Sequence, residues 1–382
     1  VELTVPVGAL HAFFAARLAG RSAGARLRAC LLVDRQHVEP QDLLPLLSEV
    51  VRRHPALVFL HTGASDFTER YAETVVLRLF FALDPLRAGR VPALRLERCG
   101  PLLAALCALD GVAALDINEE RAFFSYEHFY VIYCKFWELD DDHDFELSLG
   151  DLLRYGNYAL SHRAAVRVFG MRREPTSHGG MGYSDFVWFL LAEEDKEAPS
   201  ALSFWFRVLD TDCDGQVSLD EMAHFYAEQQ ARLREVSQEA VATSDVMGQL
   251  LDALKPRGLA DLPWRGGLSQ GVPGATSFTL RDLRASGLCG VVVNTLCNLH
   301  KFLALEAHDV HSLREAHATP HMSEWDRWAA SEYRRLTEDE GEEDALMSHG
   351  EMDGLEDLDE HELRVWGARQ GFGSSGAFES PF

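Results

Sequence analysis

Two stretches of this 382-residue chain place oxygen ligands at a spacing suited to holding a hard cation. From Asp210 the sequence runs Asp-Thr-Asp-Cys-Asp-Gly-Gln-Val-Ser-Leu-Asp-Glu221, the pattern of a twelve-residue EF-hand loop. Asp210, Asp212, Asp214 and Glu221 put carboxylates at positions 1, 3, 5 and 12. Gln216 at position 7 would offer its backbone carbonyl, and Ser218 at position 9 could hold a water. Gly215 stands at position 6, where the chain must turn sharply. Calcium wants about six to eight oxygens at roughly 2.3–2.6 Å, and this spacing supplies them from one loop.

A second match runs from Asp140 to Asp151. Asp140, Asp142 and Asp144 fill positions 1, 3 and 5, with Glu146 at 7, Leu147 at 8, Ser148 at 9 and Asp151 at 12. Phe145 replaces the turn glycine, at a cost of about 1–2 kcal/mol if positive φ is required. Asp151 is one methylene shorter than Glu, which makes bidentate ligation harder. Weaker calcium binding is expected here than at 210–221, with some tolerance of magnesium.

Loops of this kind need helices on both sides. Phe204–Leu209 and Met222–Tyr226 carry apolar residues at helical spacing around the 210–221 loop. Phe123–Trp137 leads into the other loop and is dense in aromatics, most of them expected in the core. Such loops also pair, through an apolar residue at position 8 that precedes an acid at 12 and an apolar residue at 13. Val38, Asp42 and Leu43 fit a loop starting near Leu31; Gly89, Val91 and Leu96 fit one starting at Asp84, with Arg95 at the acid position. Gly179, Met181, Asp185 and Phe186 fit one near Glu174, and Phe278, Asp282 and Leu283 one near Gly271. In order they make three pairs, 31 with 84, 140 with 174, and 210 with 271. The expected fold is all-α: an array of EF-hand-like helix–loop–helix pairs with short two-residue loop pairings. The expected division is an N-terminal degenerate pair over 1–115, a calcium-binding region over 116–305, and a C-terminal helix with an acidic, disordered tail over 306–382.

Lys and Arg number 36 against 60 Asp and Glu, a formal charge of −24, so nucleic acid and anionic membrane would be repelled as general partners. Thirteen of those acids lie between Glu338 and Glu362, a run without Lys or Arg. The seven cysteines are scattered without a CxxC pair; most read as small core residues, in an intracellular protein of the cytoplasm or nucleus. The apolar stretch Val5–Leu18 is too short to span a bilayer, and a chain opening on Val1 is expected to be N-terminally incomplete. Gly267-Leu-Ser-Gln-Gly271 matches the nucleophile-elbow spacing around Ser269, but it lies in a Gly/Pro-rich stretch (Pro256–Gly274) rather than between a strand and a helix. No HExxH, Walker or dinucleotide fingerprint occurs, and His128 reads as a core or surface histidine. Enzymatic activity has no support in the residues.

Phe124–Asp140, Tyr183–Leu190 with Glu193-Glu-Asp-Lys196, and Trp205-Phe-Arg207 closely resemble the B-double-prime regulatory subunits of protein phosphatase 2A. The resemblance covers about Leu31 to Leu336. It implies a non-catalytic subunit that docks on the helical-repeat scaffold and presents phosphoprotein substrates to the catalytic subunit, with calcium strengthening the assembly. The implied ligand positions are Asp140, Asp142, Asp144, Asp151, Asp210, Asp212, Asp214 and Glu221. The family tolerates a non-glycine at position 6 of the first loop. This chain departs from it in a longer Gly/Pro-rich segment, an acidic C-terminal extension, and no recognisable scaffold-gripping apolar segment before Leu31. The competing expectation is a stand-alone EF-hand calcium sensor or adaptor.

Overall fold

The computed structural model describes residues 5–32, 35–55, 57, 65–110, 117–239, 241–256, 276–307, 319 and 321–347. Ser269 with most of the Gly/Pro-rich stretch, and the acidic run beyond Met347, lie outside them. The chain forms two compact units, Val1–Val131 with Ala329–Phe382, and Ile132–Trp328. The described stretch Ala329–Met347 groups with the N-terminal unit.

In the first unit, α1 (Val7–Phe13) runs through a wider turn into α2 (Ala23–Leu31), followed by β1 (His37–Val38) and α3 (Pro40–Arg53). Then come α4 (Ser65–Leu83), β2 (Val91–Pro92), α5 (Ala93–Glu97) and α6 (Gly100–Asp110). Helix α3 starts at a capping box of Glu39 with Asp42, with Pro40 in its first turn. Its buried face is Leu43, Leu47 and Val51, one residue every four, and it packs on α4. Strands β1 and β2 pair antiparallel, Val38 opposite Val91. Arg78 of α4 donates to the carbonyls of Phe123 and Arg121 and meets His128 Nδ1 at 2.7 Å. Burial and the adjacent Arg78 push His128 down to about 2, so it sits in the core as a neutral ring.

Helix α7 (Tyr126–Trp137) crosses the unit boundary. Tyr126, Phe129, Ile132, Tyr133 and Phe136 are buried, so the aromatic stretch is core. The second unit follows with α8 (Leu149–Tyr158), α9 (His162–Gly170), α10 (Tyr183–Glu194), α11 (Pro199–Leu209), β3 (Val217–Ser218) and α12 (Leu219–Glu235). It closes with α13 (Thr243–Leu254), β4 (Ser277–Phe278), α14 (Leu280–Ser286), α15 (Cys289–Cys297) and α16 (Leu299–Glu306). Val217 pairs with Phe278, and Leu147 bridges to Met181. All three pairings through position 8 are therefore present, in an all-α fold of paired EF-hand units. The last helix, α17 (Glu324–Met347), carries the first part of the acidic run, so that part is helical rather than a disordered tail.

Helix α10 is buried on every side, from Phe186 and Phe189 to Glu193 and Glu194. The charge at its C-terminal end is tolerated because it is paired. Glu193 Oε1 accepts Lys196 Nζ at 2.8 Å, Lys301 Nζ at 3.0 Å and the Asn298 amide at 2.8 Å. Burial works against the Glu193 carboxylate, but the two ammonium groups hold it below the usual range. All seven cysteines are free thiols; Cys99, Cys289 and Cys297 are buried, whereas Cys30, Cys107 and Cys213 are exposed, so fewer are core residues than the sequence suggested.

Candidate metal centre

The 210–221 loop begins where α11 runs out of helical backbone, at Asp210. Its own carboxylates fold it. Asp210 accepts the amides of Asp214 and Gly215, both at 3.1 Å, and Asp214 accepts that of Gln216 at 2.7 Å. Cys213 and Gly215 are left-handed, with φ +61° and +87°, and glycine takes the second without Cβ strain. At the far end, Ser218 caps α12 and Glu221 completes the capping box. The Glu221 carboxylate also reaches back to the Thr211 amide at 2.6 Å and hydroxyl at 2.8 Å. One side chain thus ties the loop's two ends together.

The 140–151 loop repeats this architecture. Asp140 accepts the Phe145 amide at 3.0 Å, and Asp144 accepts that of Glu146 at 2.7 Å. Ser148 and Asp151 form the capping box of α8. Phe145 is left-handed at φ +63°, as the glycine is in the other loop, so the position does demand positive φ. The ring compensates: it stacks on Phe136 with centroids 5.9 Å apart and tilts on Trp137 at 6.1 Å. His143, also left-handed, lies flat on Trp137 at 4.0 Å. These contacts are worth roughly the strain they offset.

In each loop three aspartates converge. Carboxylate oxygens of Asp140, Asp142 and Asp144 lie within 4.8 Å of one another, as do those of Asp210, Asp212 and Asp214. Asp140 is fully buried, and its Oδ1 has no hydrogen-bond partner. Burial, then the like charges of Asp144 and Asp142, push Asp140 up to about 6. Burial and Glu221 likewise raise Asp210. Burial also acts on Glu221, but amide and hydroxyl donors from Ser218 and Thr211 hold it below its ordinary value. Buried acid with an orphan oxygen, beside two further carboxylates, fits a hard divalent cation, whose charge would satisfy the oxygen and relieve the repulsion.

The remaining sequence-predicted residues are placed otherwise. Gln216 faces the paired loop, its side-chain oxygen accepting the Ser277 hydroxyl at 2.8 Å; that leaves the backbone carbonyl for position 7. The Glu146 carboxylate is not part of the first cluster. It accepts the amides of Ser177 at 2.5 Å and of His178 and Gly180, and so closes the paired 174–185 loop. Asp151 accepts the Ser148 amide at 2.7 Å and Arg154 at 2.9 Å, and lies outside the aspartate triad.

Two arginines were not singled out in the sequence. Arg154, three residues after Asp151, also donates to Asp141 and to the Leu139 carbonyl, both at 2.5 Å. Arg167 of α9 donates to the carbonyls of Arg207, Val208 and Asp210, capping the C-terminal end of α11 where the second loop starts. The i+3 spacing makes Arg154 findable in principle; Arg167 lies over forty residues from the loop it serves and has no local signal.

Helix–loop–helix units joined through position 8, two of them with aspartate triads, define an EF-hand protein. Residues 25–111 match the EF-hand domain and residues 129–227 the EF-hand domain pair. A protein of Arabidopsis thaliana, described as a probable B''delta regulatory subunit of serine/threonine protein phosphatase 2A, is 41% identical over 327 residues, 85% of this chain and 57% of its own length. The human B'' regulatory subunit of the beta type is 39% identical over 306 residues, 78% of this chain and 50% of its own. A solved structure described as a PP2A PR70 holoenzyme and labelled diCa is similar at a TM-score of 0.64 and 38% identity, covering 74% of this chain and 98% of that one. The chain belongs to the B'' family of protein phosphatase 2A regulatory subunits. It spans 57% and 50% of the length of the two relatives just named.

Proposed function

We propose that this chain is a calcium-responsive, non-catalytic subunit that docks on the scaffold and catalytic subunits of protein phosphatase 2A and directs which phosphoproteins the enzyme acts on. The observation that carries it is the pair of aspartate triads, held by matching loop geometry in a fold shared at 38% identity with a chain of a phosphatase holoenzyme. Each triad gathers three carboxylates, so the cation-free loops strain against their own charge. Calcium relieves that repulsion and orders α7 with α8 and α11 with α12. If the ordered form binds the phosphatase better, calcium promotes assembly by that difference in affinity.

The 210–221 loop is the tighter of the two sites. Gly215 turns without strain, and Glu221 has the reach for bidentate ligation. In the 140–151 loop the shorter Asp151 must first release Arg154. The test is purification of the tagged chain from cells with calcium or with chelator, identifying the phosphatase subunits retained. Glu221→Gln and Asp140→Ala should each reduce calcium-dependent recovery. Calcium binding without any phosphatase subunit would instead indicate a stand-alone EF-hand sensor.

A further inference from the structure

One loop of the first unit keeps the EF-hand backbone and inverts its charge. Asp84 accepts the Gly89 amide at 2.7 Å, as Asp140 and Asp210 accept theirs, and Gly89 is left-handed at φ +75°. Positions 3, 5, 7 and 12 are nevertheless Leu86, Ala88, Arg90 and Arg95. Arg90, Arg95 and Arg98 are exposed, and no ion pair engages them among the described residues. The acids of this segment are already committed: Asp84 is buried on the Gly89 amide, and Glu97 pairs with Arg28 at 2.9 Å.

Beside these arginines lies a cavity of about 650 Å³. Arg95 and Arg98 stand with apolar Leu83, Leu94, Pro101 and Phe123 in its lining. Leu94 is 52% exposed, a large apolar side chain at the surface next to these arginines. Gly100 and Pro101, the first turn of α6, form part of the wall, and the N-terminal end of that helix adds positive potential. The surface suits a peptide that brings carboxylates together with an apolar side chain.

We propose that it receives the chain's own acidic segment, residues 351–362, which lies outside the described residues. Glu338–Glu362 holds thirteen acids and no Lys or Arg, and in its distal part Met352, Leu355 and Leu358 alternate with the acids. An extended stretch of that pattern offers carboxylates to Arg95 and Arg98 and a leucine to the apolar lining. Helix α17, which leads into it, belongs to the same unit as the cavity: Tyr333 packs on Tyr130 at 5.8 Å, and Leu336 is buried. The fifteen residues 348–362 can extend roughly 50 Å. A tether of that length gives an effective concentration of about a millimolar, so even a weak contact is populated.

The test is zero-length carbodiimide coupling in the full-length Arg98→Lys variant, which puts a reactive amine at the cavity, with the linked peptides read by mass spectrometry. The expected result is an intramolecular link from position 98 to one or more of Glu351, Asp353, Glu356, Asp357, Asp359, Glu360 and Glu362. Its yield should fall about five-fold on adding Arg95→Glu, and also in high salt. A free synthetic peptide of residues 350–363 should compete it away. No link to 351–362, or only links between different molecules, overturns the proposal; so does a link whose yield ignores Arg95→Glu. If an added acidic peptide of unrelated sequence couples where the tail does not, the surface serves a partner and self-docking is refuted.

Discussion

Arg154 makes the first loop's affinity adjustable in a direction that simple ligand counting would not give. Its guanidinium pairs with Asp151 at 2.9 Å while the two side chains remain 30% and 24% exposed. A partly exposed pair of this kind is worth about 0.2–1 kcal/mol. Asp151 must give it up to ligate a cation, and at about 1.4 kcal/mol per decade that is up to roughly a five-fold loss of affinity. Arg154→Gln removes the competitor and a nearby positive charge, so calcium should bind the 140–151 loop about two- to five-fold more tightly. The assay is isothermal titration in an Asp212→Ala background, which silences the second loop. The cation-free protein should be slightly less stable, because Arg154 also holds the Leu139 carbonyl and Asp141. Unchanged or weakened calcium binding in Arg154→Gln would show that the guanidinium does not compete for Asp151.

Three other substitutions separate the roles assigned to individual side chains. Glu221→Ala should cost about 1–2 kcal/mol in urea unfolding even with chelator present, because it removes a helix cap as well as a ligand; exposed Asp212→Ala should cost much less. At Phe145, Ala should be less stable than Gly by about 1 kcal/mol, since φ is +63° while both lose the stacking on Phe136 and Trp137; equal stabilities would mean the turn carries no strain. Glu193→Ala leaves buried Lys196 without its carboxylate, whereas Lys301 keeps Glu194, and it should destabilise the second unit by about 3–5 kcal/mol, measured by denaturation; a cost under about 1 kcal/mol would show the network to be incidental.

The two aspartate loops were legible because an EF-hand loop built from one segment writes its positions in order along the chain. The dead loops could be found for a related reason. Val38, Val91, Met181 and Phe278 had to stay apolar to pair, even where the ligands were gone. What the sequence hid is mostly contact between distant segments. Glu146 occupies a ligand position, yet its carboxylate serves amides more than thirty residues away. Glu193 meets Asn298 and Lys301 across more than a hundred residues, and no local pattern announces a buried carboxylate that will find two ammonium groups. The unit boundary was hidden too: it falls within α7, an unbroken run of apolar and aromatic residues, and the helix after Ala329 returns to the N-terminal unit. Phe145 looked like a defect in the loop until its ring could be seen against Phe136 and Trp137.

The proposed calcium response rests on two aspartate triads, each expected to hold one cation. Calcium titration by calorimetry of the wild type, Asp142→Ala and Asp212→Ala is the sharpest check, since both substituted residues are exposed and neither is needed for the core. The wild type should bind two calcium ions and each variant one, with the tighter site lost in Asp212→Ala and the weaker in Asp142→Ala. No binding by the wild type, or a stoichiometry that neither substitution lowers, would mean that the triads are not the calcium sites.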